Sequence, residues 1–340
     1  MSPNAFLRPL VCLSLLGLAA CGSNPPSPTA AANAPSSSPA TTASAPPIKI
    51  GLALGGGAAK GFAHIGVIKI LEANGLTPSF VAGTSAGSVV GAMYASGMNA
   101  FELQEKAVAL DEAKIRDLQF SSGGLVLGQK LEDYVNEQVQ RKPMEQLAKP
   151  FVVISTRLED GERTVFARGN VGQAVRASSS VPGVFQPVTI GKYHYVDGGI
   201  VSPVPVDAAR NLGADIVIAV DISNKASGKT PANMLGALNQ SIAIMGQKLG
   251  QAELARADII IRPKVLDIGP ADFAQRSHAI VEGEKATTAL MPQIRERIAQ
   301  LQAERAKAMQ IAQLKAQEAK HQECLKQRSR LQKLSGMVGM

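Results

Sequence analysis

A serine framed by glycines is the residue of this chain whose neighbours best suit it to act as a nucleophile. Ser85 stands in Gly83-Thr84-Ser85-Ala86-Gly87, between a short apolar run at 79–82 and a stretch with helical spacing. Glycines two residues before and after a serine allow a sharp strand-to-helix turn that holds the side chain above the sheet edge. We therefore predict that Ser85 is a nucleophile. The N–H group of Ala86, at the helix N-terminus, is expected to bind a developing oxyanion.

A second glycine-rich turn precedes this one and follows an apolar strand predicted at 48–54. Gly55, Gly56 and Gly57 form the turn, and a helix is predicted over 58–73. A phosphate-binding loop would need glycine before Lys60, where Ala59 stands, and the dinucleotide fingerprint would need glycine in place of Lys60. Two interpretations remain: a set of N–H groups that approach an anion closely, which we favour, or a tight turn that only packs the helix on its strand.

Four histidines and one distinctive aspartate are the candidates for the base that a nucleophilic serine needs. The histidines lie outside any motif, and they are His64, His194, His278 and His321. Asp197 ends a short strand and is followed by Gly198 and Gly199. An aspartate beside Ser85 Oγ accepts the proton directly if the site is dry enough for the carboxylate to be a useful base. Asp-Gly is also an ordinary turn, and a Ser–His–Asp arrangement that uses His278 is the alternative.

Three glycine-containing blocks, in this order along the chain, resemble the patatin-like phospholipase family. They read GGGAAKG at 55–61, GTSAG at 83–87 and DGG at 197–199. Two longer stretches resemble the family as well, RASSSVPGVFQPV at 176–188 and VDGGIVSPVPVDAARNLGADIVIAVD at 196–221. The resemblance covers roughly residues 48–285, and the joint occurrence of these blocks is far more specific than any one of them.

The resemblance implies a three-layer α/β/α fold with a mostly parallel central sheet. It implies a Ser85–Asp197 dyad without histidine and an oxyanion hole at Gly55, Gly56 and Gly57, with Ala86 beside it. The elbow glycines are then Gly83 and Gly87. The residues expected to support the site are Lys60, Gly61, Gly198 and Gly199. Glycine at position 55 and lysine at position 60 resemble the bacterial branch of the family.

A serine lipid-acyl hydrolase is the activity that the resemblance implies, acting through an acyl-enzyme on membrane phospholipid or another acyl ester. No cofactor or metal is expected, because the chain has no Cys/His pairing with zinc spacing and no acidic loop of the calcium-binding pattern. The alternative is a lipoprotein that keeps the fold as a binding or scaffolding module. Nucleic acid is an improbable partner for a chain with an export signal and 4% aromatic residues.

The N-terminus predicts export and lipidation. Arg8 precedes an apolar stretch at 10–20 that is too short for a stable membrane anchor and indicates a signal peptide over residues 1–20. Leu-Ala-Ala-Cys, ending at Cys21, resembles a bacterial lipobox, so acylation of Cys21 would tether the protein to a membrane facing the periplasm. Gly22, where aspartate would resemble an inner-membrane retention signal, favours the outer membrane. Ordinary secretion with an accidental cysteine is the alternative.

Two appendages flank the domain predicted at 48–285. Residues 21–47 are rich in Ser, Pro and Ala and are expected to form a disordered tether. Residues 286–340 are expected to form a basic helical tail of one or two helices, which contributes much of the net charge of +8. This tail either packs its few apolar residues on the domain, which we favour, or lies on anionic lipid.

Three further features have open interpretations in the sequence. The serines at 178–180 lack elbow glycines and are read as structural. Arg176 and Lys60 are packing or surface charges that an anionic head group could also meet. The stretch 101–149, with its Ser-Ser-Gly-Gly break at 121–124, is a candidate mobile cover for the cleft.

Overall fold

A mostly parallel sheet of eight strands forms the centre of the fold. In the computed structural model, the described residues are 46–338, apart from 116, 122–123, 224, 226–229, 231 and 233. Five strands run parallel in the order β10–β9–β1–β2–β5. Their bounds are β1 (Ile50–Leu54), β2 (Phe80–Thr84), β5 (Phe151–Arg157), β9 (Ile216–Val220) and β10 (Ile259–Ile261).

Three antiparallel strands complete the sheet at the β5 side. They are β6 (Arg163–Phe166), β7 (Val188–Ile190) and β8 (Tyr193–Asp197). Both β6 and β8 pair with β5, and β7 pairs with β8. A separate two-stranded sheet joins β3 (Leu118–Ser121) to β4 (Gly124–Val126). Asp197 therefore ends a strand that runs against the direction of β5.

Helices cover both faces of the sheet, which confirms the predicted three-layer α/β/α fold. Alternate strand residues face opposite sides: Leu52 and Leu54 enter the larger apolar cluster, whereas Ala53 enters the smaller one. On the larger side lie α1 (Ala63–Ala73), α2 (Ala86–Ala95), α3 (Ala100–Val108), α4 (Gln129–Gln138) and α5 (Val171–Ser178). On the smaller side lie α6 (Val206–Asn211) and the end of α7 (Met234–Leu254).

The helix predicted over 58–73 begins as a different structure. Residues Ala58–Phe62 form a 3-10 helix, and α1 starts only at Ala63. Close packing at Gly61 accompanies the tighter turn, because a Cβ atom at Gly61 would lie 2.7 Å from Cβ of Ala86. The 3-10 helix that follows the glycine turn is thereby packed against the start of α2.

The stretch predicted as a mobile cover contains α3, β3, β4 and α4, and part of its Ser-Ser-Gly-Gly break lies outside the described residues.

The predicted helical tail is one long helix that begins ten residues before the predicted start at 286. Helix α8 runs from Arg276 to Val338 and includes Pro292. Its first part is buried, with Ala279, Ile280 and Ile294 in the main core. The predicted boundary between domain and tail thus lies inside a helix whose beginning belongs to the core. Of the helices in the described part of the chain, none is both long and apolar enough to cross a bilayer.

Two glycines let α1 and α8 pack backbone against backbone. A Cβ atom at Gly66 would lie 2.0 Å from the carbonyl oxygen of Ile280, and one at Gly283 would lie 2.1 Å from that of Ala63. Contacts this short exclude any side chain at either position.

The predictions for the N-terminal residues 1–45, namely the signal peptide, Cys21 and most of the tether, lie outside the described residues.

Replacing Gly283 with alanine is expected to destabilise the fold despite the better helix propensity of alanine. Propensity favours alanine by about 1 kcal/mol, but the two helices must separate to admit the methyl group, at a cost of about 1–3 kcal/mol or more. We expect Gly283→Ala to lower the free energy of unfolding in urea. Gly246→Ala is the matched control, since its Cβ atom meets nothing closer than 3.9 Å, and it should be neutral or stabilising. Equal behaviour of the two variants would contradict this packing.

Candidate active site

Ser85 lies at a strained turn between β2 and α2. Its φ is 52° and its ψ is −124°, a left-handed conformation that non-glycine residues rarely adopt. The neighbouring glycines make the turn sterically feasible. A Cβ atom at Gly83 would lie 2.6 Å from the Gly87 carbonyl oxygen, and one at Gly87 would lie 2.1 Å from that of Leu54. The backbone therefore has the geometry that a nucleophile elbow requires.

Asp197 is brought level with Ser85 by the pairing of three strands. Thr84 pairs with Ile154, and the next residue of β5, Ser155, pairs with Asp197. Strand β6 pairs with residues 153–156 of β5 along the other side. The strands β2 and β8 therefore follow one another along the same side of β5, and Ser85 and Asp197 come together where β2 ends and β8 ends.

The Asp197 carboxyl is buried and only half satisfied. Its side chain is 7% exposed, and Oδ1 accepts a 2.7 Å hydrogen bond from the Gly199 N–H. Oδ2 has no hydrogen-bond partner among the described residues. Burial raises the pKa of Asp197 to about 6, although the nearby Ser85 hydroxyl and the Gly199 N–H both act to lower it. This carboxyl is thus a stronger base than an ordinary aspartate, with a free oxygen close to the serine hydroxyl.

The serine triplet at 178–180 fixes the main chain of both residues. Ser178 Oγ accepts a 2.8 Å hydrogen bond from the Ser85 N–H and donates to the carbonyl oxygen of Ile154. The carbonyl oxygen of Ser180 accepts from the Asp197 N–H at 2.9 Å. Ser178 and Ser180 are therefore structural, and they tie the serine and the aspartate to one helix end. Sequence analysis missed this link, for which the only sign was the RASSSVPG stretch.

The main-chain N–H groups of the predicted oxyanion hole at Gly55, Gly56, Gly57 and Ala86 are not equally free. Those of Gly55 and Gly56 donate to the carbonyl oxygens of Val220, at 3.1 Å, and Pro203, at 3.0 Å. Strand pairing and a loop contact therefore use these two N–H groups. Within the described part of the chain, the N–H groups of Gly57 and Ala86 have no partner, and these two remain as candidate donors.

The glycine turn is held in place by a buried imidazole. His64 Nε2 lies 2.8 Å from the carbonyl oxygen of Gly55, so this nitrogen carries the proton and donates. Burial lowers the pKa of His64 to about 4, and its Nδ1 has no partner among the described residues. The ring is therefore neutral at physiological pH. His64 acts on the turn and not on Ser85.

Lys60 is buried and cannot meet a head group at the surface. Its side chain is 1% exposed, and burial lowers its pKa to about 8 while the charge of Asp221 acts to raise it. Arg176 is also engaged internally. Its guanidinium donates to the Leu127 carbonyl and to the side chains of Gln129 and Glu132. In this structure both residues therefore act as packing charges, which is the interpretation that the sequence favoured.

Three of the four histidines lie at the surface, and two of them are paired with a carboxylate. His278 is exposed and lies 3.3 Å from Asp267, and His194 is paired with Glu159. His321 lies on the exposed part of α8. None of the contacts in the described residues brings the His278 ring to Ser85, whereas the Asp197 carboxyl is beside it.

A buried glutamate that sequence analysis missed stabilises the opposite side of the glycine turn. Glu253, on α7, accepts hydrogen bonds from the Ser202 hydroxyl and from the Val204 N–H, the latter at 2.9 Å. The residue between these two, Pro203, accepts from the Gly56 N–H. The Ser202 carbonyl accepts from the Thr84 hydroxyl at 2.9 Å, next to the nucleophile. One carboxylate thus anchors the loop that contacts both glycine turns.

Burial raises the pKa of Glu253, and the hydrogen bonds from Ser202 and Val204 act against this rise. No sequence motif marks the residue, because it lies on a helix about fifty residues after the loop it holds. Only the folded structure brings them together.

Comparison with known families agrees with this geometry. Residues 52–210 match the patatin-like phospholipase family. Over these residues, which are just under half of the chain, the protein is similar to that family. The match includes the glycine turn, the Ser85 elbow, Asp197 and the Ser202–Val204 loop.

The relatives of the patatin-like domain come from bacteria, animals and fungi. An NTE family protein of Mycobacterium bovis is 35% identical over 182 residues, 53% of this chain and 51% of that protein. Human patatin-like phospholipase domain-containing protein 6 is 32% identical over 52% of this chain and 13% of its own length. Lysophospholipase NTE1 of Pyricularia oryzae is 31% identical over 52% of this chain and 12% of its own. The chain spans at most about half the length of these relatives.

Among solved structures, VipD of Legionella pneumophila resembles the chain with a TM-score of 0.48 and 17% identity. The match covers 74% of this chain and 68% of VipD.

Removing the Glu253 carboxylate is expected to slow the reaction of Ser85. Glu253→Ala leaves the Ser202 hydroxyl and the Val204 N–H buried without a partner, at a cost of about 1–3 kcal/mol each. We expect labelling of Ser85 by a fluorophosphonate to slow at least tenfold, and Glu253→Gln to recover most of the rate. Glu282→Ala is the matched control, because Glu282 is a buried glutamate paired with Lys285 outside the site. If both alanine variants lose stability but label at the wild-type rate, Glu253 does not position the turn.

Proposed function

We propose that this protein is a serine lipid-acyl hydrolase in which Ser85 is the nucleophile and Asp197 the base. The observation that carries the proposal is the free Oδ2 of a buried carboxylate beside a serine at a strained elbow. Buried side-chain oxygens without a partner are rare in folded proteins, and a catalytic role is one of the recognised reasons for them. A scaffolding module would have no use for this arrangement.

The first half of the reaction forms an acyl-enzyme. The Ser85 hydroxyl proton passes to Oδ2 of Asp197 as Oγ bonds to the carbonyl carbon of the ester. The carbonyl oxygen becomes an oxyanion, and the N–H groups of Gly57 and Ala86 stabilise it together with the N-terminus of α2. When the tetrahedral intermediate collapses, the bond to the alcohol breaks and the alcohol oxygen takes the proton from Asp197.

The second half releases the acid. Water attacks the acyl carbonyl and gives a proton to Asp197, and the same two N–H groups bind the second oxyanion. Collapse breaks the bond to Ser85 Oγ, which recovers the proton. Within the protein, only Ser85 and Asp197 form or break covalent bonds in either half, and the two N–H donors contribute hydrogen bonds.

The substrates we propose are acyl esters of membrane lipids. The relatives include a protein named as a lysophospholipase and others named for a patatin-like phospholipase domain. We also propose that acylation of Cys21 holds the domain at a membrane facing the periplasm, on the outer-membrane side, since the Leu-Ala-Ala-Cys sequence resembles a lipobox. Such an anchor would keep the cleft at the surface where its substrate is concentrated.

Hydrolysis of p-nitrophenyl acetate and of phospholipid vesicles by the purified full chain in detergent tests the proposed reaction. Ser85→Ala should abolish both activities, because no other group attacks the carbonyl. Asp197→Asn should reduce kcat/KM at least a thousandfold, whereas Asp207→Asn, a change to a surface aspartate paired with Arg256, should have little effect. Activity that persists in Ser85→Ala would refute the assignment of the nucleophile. Absence of both activities in the folded wild type would favour the scaffolding function.

The pH dependence follows from the same carboxyl. The base works only when ionised, so kcat/KM should fall below pH of about 6, the raised pKa of Asp197. The free energy of unfolding has the opposite trend and falls as the pH rises. Ionising Asp197 is harder in the folded state, where its pKa is about 6, than in the unfolded chain, where its pKa is 3.8. This penalty grows between pH 4 and 6 and reaches roughly 3 kcal/mol. Asp197→Asn should therefore be more stable than the wild type at pH 7.5 and equally stable near pH 4.

Incorporation of labelled palmitate tests the proposed anchor. In cells that process lipoproteins, the wild type should incorporate the label and sediment with membranes, and Cys21→Ser should do neither. Cys324→Ser is the matched control, because Cys324 is an exposed cysteine in α8. Equal labelling of wild type and Cys21→Ser would rule out lipidation at this position.

A further inference from the structure

The distal part of α8, residues 306–333, leaves the domain and has no role in the reaction described above. Its residues 310–331 are all exposed, whereas Ile298 and Leu301 still pack against the core. At 1.5 Å per residue, the distal part is about 40 Å long. The packing on the domain that the sequence favoured for the tail therefore accounts for only the first half of the helix.

The distal part of α8 carries most of the excess charge of the chain. It contains seven lysines and arginines against two glutamates, which gives it a charge of +5 out of the formal +8 of the whole chain. Among the described residues, the salt bridges of α8 end at Arg305, whose guanidinium pairs with Asp215. The cations beyond Arg305 are therefore not neutralised by the domain.

An apolar stripe follows one face of this basic helix. It consists of Ile311, Leu314 and Leu325, which are 44%, 53% and 45% exposed. These residues stand four, seven and eighteen positions after Lys307, a spacing that puts all four on one face of a helix. A lysine follows each leucine directly and flanks the stripe, and Glu318 is the only acid of this face between the two leucines.

The domain cannot cover the apolar stripe. Leu301, which packs on the core, precedes Leu314 by thirteen positions. At 3.6 residues per turn, the two side chains lie about 140° apart around the helix axis, so the stripe points away from the domain-facing side. A surface that combines apolar side chains with cations suits a partner that is both apolar and anionic.

We propose that the distal part of α8 lies on the surface of a membrane that contains anionic lipid. The apolar stripe enters the boundary between head groups and acyl chains, while the flanking lysines extend their ammonium groups to the lipid phosphates. Charge argues against a second copy of the chain as the occupant, because two helices of charge +5 repel each other. The inference does not depend on the reaction of Ser85.

The point where α8 leaves the domain is also the point where the described chain begins. Arg305 Nη1 donates to the carbonyl oxygens of Pro46 and Pro47, both at 3.4 Å. The tether predicted before these prolines therefore joins the domain beside the distal part of α8. A flexible chain of about 25 residues spans roughly 25–30 Å, which is less than the length of this helix. An acyl group on Cys21, as proposed above, and the helix can thus hold the same membrane, and each raises the effective concentration for the other.

A tryptophan reporter on α8 tests the proposal, because the chain contains no tryptophan. The reporter is placed in the full chain with Cys21→Ser, which removes the proposed acyl group. Vesicles of equal parts phosphatidylcholine and phosphatidylglycerol should shift the emission of Leu314→Trp to shorter wavelength, and vesicles of phosphatidylcholine alone should not. Ala316→Trp is the matched control. It is exposed and two residues away, but about 160° around the helix, and its emission should stay unchanged with both kinds of vesicle.

Charge reversal measures what the cations of α8 contribute to the affinity. In the Leu314→Trp chain, the joint changes Lys307→Glu, Lys315→Glu and Lys326→Glu should weaken binding to the anionic vesicles at least a hundredfold. Each lysine near such a surface contributes about a factor of five. The control makes the same change at three exposed lysines of the domain, namely Lys142, Lys192 and Lys264. It alters the net charge of the chain equally and should weaken binding less than fivefold.

Three results would overturn the proposal. The first is an absent emission shift with anionic vesicles, or an equal shift with phosphatidylcholine alone. The second is an equal loss of binding in the two triple variants, because the net charge and not α8 would then attract the lipid. The third is a dimer in sedimentation equilibrium without lipid that Leu325→Gln converts to a monomer, which would assign the apolar stripe to a second copy of the chain. Hydrolysis by Ser85 is measured separately, so the proposed function can stand or fail independently.

Discussion

A carboxylate that the protein buries without fully satisfying it is the constraint on which the site depends. Desolvation raises the proton affinity of Asp197, and the single N–H bond from Gly199 offsets only part of this effect. The rest of the fold must supply the free energy to keep the group there. It does so through strand pairing, because β5 holds β2 and β8 one after the other along one side and β6 along its other side. The serine and the aspartate thus meet beside a strand that cannot shift its register without exposing its core face.

The turn that carries Ser85 was predictable from the sequence because local geometry encodes it. A serine between two glycines needs those glycines for backbone clearance, and the clearances at Gly83 and Gly87 have this cause. The sheet and its two helical layers followed from apolar runs and from the resemblance of the glycine blocks. The donors of the oxyanion hole were not predictable in the same way. The N–H groups of Gly55 and Gly56 donate to the carbonyl oxygens of Val220 and Pro203, which lie about 150 residues later in the chain.

The residues that sequence analysis missed share one property: they act through the main chain of another segment. Ser178 binds the N–H of Ser85, His64 binds the carbonyl of Gly55, and Glu253 binds the loop that accepts from Gly56. Hydrogen bonds to the main chain leave no pattern in the sequence, since any residue type presents the same N–H and carbonyl groups. The start of α8 was missed for a similar reason, because its beginning is defined by packing on α1 and not by a break in composition.

The contact between α1 and α8 joins two segments that are made at very different times. Gly66 meets the backbone of residues 280–284, more than 200 residues later in the chain. At a synthesis rate of about 5–20 residues per second, the first helix is complete roughly ten to forty seconds before its partner exists. During that interval the face of α1 that α8 will cover remains available to solvent or to a chaperone. The domain therefore cannot close its core before the start of α8 has been made, and it stays in an open state until then.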